Sequence, residues 1–218
     1  MHRKELIDLI EEGENIHCEF KRHFTTPEKI AREMIAFANT KGGYILFGID
    51  DDRNITGVES EKSEAEMIYD AANNYCEPPI EYNLAFIVYE NKEIVAVTIP
   101  ESVEKPHRLQ DYESSLDINK AVVMIRVNDK SMRASKEMVR ILRANSGNLA
   151  LKKYFIGEVE KAVFGYLAKK ERISVRELSN LVNISERRAS RTLVKMVRTN
   201  LLVIHTKDNG EEFFTAAV

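Results

Sequence analysis

Glu14 and Glu19 are the first residues whose type and spacing could do chemistry. Two carboxylates and a third can hold Mg²⁺ or Mn²⁺ and orient a water against a phosphodiester. Glu14 and Glu19 share a side of neither a continuous helix nor a continuous strand, so only an intervening turn lets them converge. Their surroundings supply one. Glu14 follows the helix stop at Gly13, and Glu19 sits on a strand in which Ile16, Cys18 and Phe20 alternate with His17, Glu19 and Lys21. Lys21 is an equally ready salt-bridge partner for Glu19, which would make the pair structural. A metal is expected only in the catalytic reading, at Glu14 and Glu19; otherwise no cofactor is expected.

A second constellation is basic. Arg187, Arg188, Arg191, Lys195 and Arg198 lie in a stretch, Glu186 to Thr199, that turns Ala189, Leu193, Met196 and Val197 inward as a helix capped by Ser185. Spacing of three to four places Arg188, Arg191 and Lys195 on one exposed face, suited to phosphates and guanine edges in a major groove. Lys207, in the turn Lys207-Asp208-Asn209-Gly210, adds a cation of the same kind. Lys105, His107 and Arg108 could contact phosphate from the long polar stretch Glu101–Lys120. The competing reading is of solubilising charges, with the C-terminal hairpin packed on a partner.

Gly42-Gly43 is not followed by the Lys-[Ser/Thr] of a phosphate-binding loop, and no G-x-x-x-x-G-K-[ST] occurs. ATP turnover is therefore not expected. The glycines read as a helix C-terminus with positive φ and close packing before a buried strand.

The elements that must position these residues follow from periodicity. A short helix covers Lys4 to Glu12. Thr26-Pro27 opens a second, with Ile30, Met34, Phe37 and Ala38 inward. Tyr44 to Ile49 is an apolar run of the kind covered on both faces, and Asp50 to Asn54 is a turn. Glu61 to Tyr75 reads as helix, Leu84–Tyr89 and Ile94–Ile99 as a hairpin, and Ala121–Val127 as a strand. Ser135 caps a helix to Arg143, and the turn-like Asn145-Ser146-Gly147-Asn148 marks a boundary. Beyond it come a helix at Glu158–Lys170, another at Val175–Val182 capped by Ser174 with Glu177 three residues on, the basic helix, and a hairpin of Leu201–His205 with Glu212–Thr215. Three helices and a hairpin in that order are the winged helix-turn-helix arrangement.

Charge divides at the same place. From Lys152 onward the chain holds 13 Lys/Arg and 8 Asp/Glu, a balance of +5; before it, 19 and 27, a balance of −8. Different charge in two segments predicts different work. No apolar stretch approaches the roughly 18 residues of a membrane span, and the charged N-terminal helix is not a signal peptide. Cys18 and Cys76 lack metal-ligand spacing and read as buried hydrophobes in a reducing, cytoplasmic compartment.

One resemblance joins these pieces. Glu14, Glu19-Phe20-Lys21, Ile35-Ala36-Phe37-Ala38-Asn39, Gly42-Gly43, Phe47-Gly48-Ile49-Asp50, Ile55-Thr56-Gly57-Val58, Lys105-Pro106 and Ile125-Arg126-Val127, in that order, resemble the Schlafen AlbA_2 domain over about residues 8 to 142. The family is also described as divergent AAA-type ATPases. The resemblance implies a DNA-binding regulator that often carries a C-terminal winged helix. It also implies an enzymatic alternative, since vertebrate Schlafens include RNA endonucleases built on acidic triads. There the third acid would be Glu59, with Asp50 and Asp51 as nearer candidates. Schlafens resemble a duplication whose two lobes enclose a groove, so two copies of this chain could rebuild one. Lys21 and the Lys105-His107-Arg108 loop would then lie on its walls.

The expected fold is α+β: a mixed-sheet AlbA_2-like domain over 1–146 and a small winged helix-turn-helix domain over 150–218. The expected function is regulatory binding of double-stranded DNA by a homodimer. RNA is the other possible nucleic-acid partner, and no membrane partner is expected. The alternatives are a metal-dependent ribonuclease and a pure oligomerisation protein.

Overall fold

The computed structural model describes residues 1–146 and 154–217. The boundary turn at Gly147-Asn148 lies outside the described residues. Two compact units, Met1–Ala134 and Ser135–Val218, make up the chain. The helix capped by Ser135, which composition groups with the N-terminal domain, belongs to the second.

In the first unit, α1 (Arg3–Glu12) buries Leu6 and Ile10 and stops at Gly13, whose φ of 83° suits glycine. β1 (Cys18–Lys21) follows a tight bridge between Asn15 and Cys18. α2 (Pro27–Asn39) starts where the Thr26 hydroxyl accepts the Lys29 N–H at 3.3 Å, with proline in its first turn. Its residues from Met34 to Asn39 are all buried, so α2 is a central helix rather than a one-sided surface one. It crosses to β2 (Gly43–Phe47), parallel to β1 with Glu19 opposite Ile45. α3 (Glu61–Asn74) is capped by Ser60 and leads to the short β3 (Cys76–Glu77).

β4 (Asn83–Tyr89) and β5 (Lys92–Ile99) form the expected hairpin, turning through Glu90 and Asn91 at positive φ. The loop from Glu101 to Lys120 holds β6 (Arg108–Leu109), paired with β3. β7 (Met124–Val127) and β8 (Lys130–Arg133) form a second hairpin about Asn128, φ 55°.

The main sheet runs β1-β2-β5-β4, parallel at β1/β2 and antiparallel elsewhere, so the fold is α+β with a mixed sheet. Period-two alternation gives it two cores. Ile45, Phe47, Val95 and Val97 face α2 and α3, while Leu46, Ala96, Cys18 and Phe20 face α1. Glu19 and Lys21, alternating with Cys18 and Phe20, are thereby turned to the α2 side. Burial pushes both cysteine thiols up to about 12, so they serve as inert filling.

The second unit begins with α4 (Lys136–Ser146) and continues through α5 (Glu158–Leu167), α6 (Val175–Leu181) and α7 (Glu186–Arg198). An antiparallel hairpin, β9 (Leu202–Thr206) and β10 (Glu212–Ala216), closes it. The Ser174/Glu177 capping box forms as its spacing predicts: Ser174 N–H donates to Glu177 at 2.7 Å, and Glu177 N–H to Ser174 at 3.2 Å. Ile173, just before α6, bridges to Phe214 of β10, adding a third extended segment beside the hairpin. Val163, Ile173, Leu178, Ala189, Leu193, Met196, Leu202 and Phe214 form the core. Among the described residues no helix is long and apolar enough to cross a membrane.

Glu212 on β10 accepts from the Ser135 hydroxyl at 2.7 Å. Burial, with Glu137 nearby, lifts its carboxyl to about 7. Such a group binds its proton more tightly folded than unfolded. Its favourable contribution is full below its unfolded value near 4.5 and is lost as pH rises through about 7. Glu212→Gln should therefore raise the melting temperature of the second unit at pH 8 and change it little at pH 5. Equal shifts at both pH values in thermal melts would contradict this.

Candidate functional site

Arg126, on β7, organises the acidic region. Its side chain is fully buried, and one guanidinium nitrogen donates to Glu19 at 2.8 Å, to Ser131 at 3.2 Å and to Glu33 at 3.4 Å. The other donates to the carbonyls of Asn15 at 2.7 Å and Cys18 at 3.4 Å. The guanidinium carbon lies 4.6 Å from the Phe37 ring centroid, a cation–π contact. Its Nε has no partner among the described residues. Lys21 Nζ pairs with the other Glu19 oxygen, and the Ser131 hydroxyl donates to Glu33. Glu19 thus has one cation on each oxygen, the arrangement a buried carboxylate requires.

Glu14 does different work. Its carboxylate accepts the Phe20 N–H at 2.9 Å and so covers the outer edge of β1, the terminal strand of the sheet. Burial raises its pKa, the Phe20 bond opposes this, and the charges of Glu19 and Asp51 raise it further. Glu33 is raised by burial and then by Glu19. The turn after Gly13 does bring Glu14 and Glu19 within electrostatic reach of each other, as the spacing requires.

The third acid is not where sequence places it. Glu33 of α2 joins Glu19 through Arg126 and Ser131. Asp50 instead holds the turn after β2, accepting from Asn54 N–H at 2.8 Å and its side-chain amide at 3.2 Å; these bonds keep its carboxyl below the ordinary range. Glu59 stands exposed before α3, where its charge acts on Glu64. Asp51, the other candidate, is the one whose charge reaches Glu14. Among the described residues no group of three His, Cys, Asp or Glu is arranged to hold a metal ion.

The loop cations correct the sequence reading. Lys105 Nζ donates to the Thr40 carbonyl at 3.0 Å and to Glu101 at 2.6 Å. His107 is buried, with Nδ1 2.8 Å from the Pro78 carbonyl and Nε2 2.7 Å from the Ser102 hydroxyl, and burial lowers its pKa. Its peptide N–H and carbonyl both bond the Asn39 side chain, which also donates to Met124 O at 3.0 Å. Arg108 is buried against Asp111 and the Glu113 carbonyl. All three are internal fasteners of a loop whose regular structure is the short β6, and none faces outward to meet a phosphate.

The α7 cations are placed differently. Arg187, Arg188, Arg191 and Lys195 are exposed, and none forms an ion pair among the described residues. At 3.6 residues per turn they share an arc roughly 100° wide, opposite Ala189, Leu193 and Met196. Arg198, on the same arc, is half-buried and has a partner. Lys207 pairs with Glu211 at 2.7 Å. α4 covers the flank of α7, where Ser190 donates to Glu137 and accepts from Arg140 at 3.1 Å. The basic arc stays open.

Sequence reasoning missed Arg126 as a hub. The available signal was a lone arginine in the apolar run Val122-Val123-Met124-Ile125-Arg126-Val127, since a charge buried in a strand needs an acid partner.

Compared with known proteins, residues 14–135 match the family Schlafen, AlbA_2. An uncharacterized ATP-binding protein of Ureaplasma parvum, UU034, is 38% identical over 87 residues, covering 37% of this chain and 24% of that protein. The chain therefore matches about a quarter of that relative's length. Among solved structures, the DIP2311 protein from Corynebacterium diphtheriae aligns at 15% identity and TM-score 0.44, over 66% of this chain and 34% of that one. The N-terminal domain of a putative ATP-dependent DNA helicase RecG-related protein from Nitrosomonas europaea aligns at 22% identity and TM-score 0.39, over 50% and 81%.

Proposed function

The chain belongs to the Schlafen AlbA_2 family, and from that premise we propose that it is a regulator that binds duplex DNA through α7. The second unit is then a winged helix-turn-helix domain: α6 and α7 are the helix-turn-helix, the β9/β10 hairpin is the wing, and Ile173 supplies the short strand beside it. The AlbA_2 unit assists binding or assembly. The observation that carries this reading is the open arc of Arg187, Arg188, Arg191 and Lys195, since unpaired cations on one helix face match the phosphates flanking a major groove. A homodimer presents two such faces to two half-sites about one helical turn apart.

Catalysis is less well supported. Glu19 is neutralised on both oxygens, and its carboxylate partner through Arg126 and Ser131 is Glu33, not Glu59 or Asp50.

Fluorescence anisotropy on duplex DNA across a salt series tests the proposal. Wild type should bind with a steep salt slope and load two chains per palindromic duplex. Arg188→Ala with Arg191→Ala should flatten the slope by about two units, one per lost phosphate contact. An unchanged isotherm at every salt concentration removes α7 from the interface.

A further inference from the structure

A separate cleft in the first unit is used by neither the acidic cluster nor α7. It has a volume of about 620 Å³ and lies where the chain leaves β1, at Arg22 to Phe24, and where Thr56 to Ser60 enters α3. The amino end of a helix presents unpaired N–H groups and the positive end of its dipole, which favour an anionic ligand.

The walls carry both signs of charge. Arg22 and His23 are exposed, and among the described residues neither forms an ion pair, although the charge of Arg22 acts on Asp50 and that of His23 on Glu64. The Ser60 and Ser63 hydroxyls stand with them at the start of α3, a helix of 14 residues. Beside them is Glu64, only 6% exposed, on which the His23 charge acts. Among the described residues its carboxylate accepts a single N–H, that of Phe24, at 3.2 and 3.3 Å. A carboxylate has room for about four hydrogen bonds, so Glu64 retains acceptor capacity toward the cleft it lines. Burial holds its carboxyl above the ordinary range, a cost that hydroxyl donors would relieve.

A bare anion would engage Arg22 and His23 but would sit against Glu59 and Glu64. A neutral sugar would satisfy Glu64 and leave the cations unused. The geometry points to a ribose phosphate as the ligand of this cleft, with its phosphate against Arg22, His23 and the amino end of α3, and its hydroxyls donating to Glu64. Two sources carry that unit: a free nucleotide, and the phosphorylated end of a nucleic-acid strand.

Calorimetry on the full chain with ribose 5-phosphate, ribose, inorganic phosphate, AMP and a 5′-phosphorylated oligonucleotide tests the assignment. Ribose 5-phosphate should bind at least tenfold more tightly than ribose or phosphate alone. Arg22→Ala with His23→Ala, both at the surface, should weaken it at least tenfold without lowering the melting temperature. Preference for AMP identifies a nucleotide site; preference for the oligonucleotide identifies a strand end. Arg188→Ala with Arg191→Ala should leave this binding unchanged, so failure here and failure of the α7 reading are separable. Absence of ribose 5-phosphate binding, equal binding of inorganic phosphate, or indifference to the Arg22/His23 variant overturns the site.

Discussion

Replacing Arg126 with Met should lower the stability of the first unit by about 3–5 kcal/mol, the cost of leaving a buried charge without its partner. The side chain is fully buried and serves Glu19, Glu33, Ser131 and two backbone carbonyls at once. Met fills much of the volume and keeps contact with Phe37, so the loss reads the electrostatics rather than a cavity. Two carboxylates would remain in a region where Glu33 is already raised by burial and by Glu19. Protonation relieves that repulsion, so the deficit of the variant should shrink between pH 8 and pH 5. Adding Glu19→Gln to Arg126→Met should recover part of it, because the two positions share one network. Urea denaturation followed by far-UV circular dichroism measures each quantity. A deficit below about 1 kcal/mol, or one independent of pH, would show that Arg126 is not the counter-ion of the cluster.

The network also marks where a sequence stops being legible. Local rules suffice for the elements: Thr26-Pro27, Ser174 with Glu177, and Ser185 open helices through bonds spanning three residues, and such bonds are written in the spacing itself. The run at Tyr44 to Ile49 specifies the central strand because a strand covered on both faces carries apolar residues without alternation. The β7/β8 hairpin escapes such rules, although Asn128 at positive φ is the residue type its turn favours. Lys130 to Arg133 has one apolar residue, Met132, and is half-exposed, so it carries no strand signal.

Partner choice is illegible for a different reason. Glu19 and Arg126 stand 107 residues apart, and Asn39 and His107 stand 68. No periodicity joins them; only the crossover of α2 and the return of β7 along it do. Lys105, His107 and Arg108 read as a solvated basic cluster because composition records that a donor exists, not where its hydrogen bond ends. On α7 composition serves better, since one helix fixes the relative directions of all its side chains.

Gly42→Ala should destabilise the first unit by about 3 kcal/mol, while Gly165→Ala should stabilise the second by about 0.5–1 kcal/mol. Gly42 lies at φ 69°, a left-handed conformation that costs an alanine about 1–2 kcal/mol. Its N–H closes the end of α2 on Phe37 O at 2.9 Å, so the backbone cannot rotate away without losing that bond. A Cβ there would lie 2.6 Å from Ile99 O and 2.7 Å from Glu101 N. Both are backbone atoms at the end of β5, a strand held between β2 and β4, and no flexible side chain can yield in their place. Moving Pro100 and Glu101 aside would pull on Ser102 N–H, bonded to Ala38 O at 2.9 Å, and on Lys105, bonded to Thr40 O. Gly165 presents the opposite case. It sits inside α5, where a Cβ would meet nothing within 4 Å, and alanine restricts the unfolded chain without crowding the folded one. Because a two-unit chain need not melt as one, each variant is read on the transition of its own unit in calorimetry. Equal and small effects at both glycines would mean that the junction of α2 with β2 yields more readily than its backbone contacts imply.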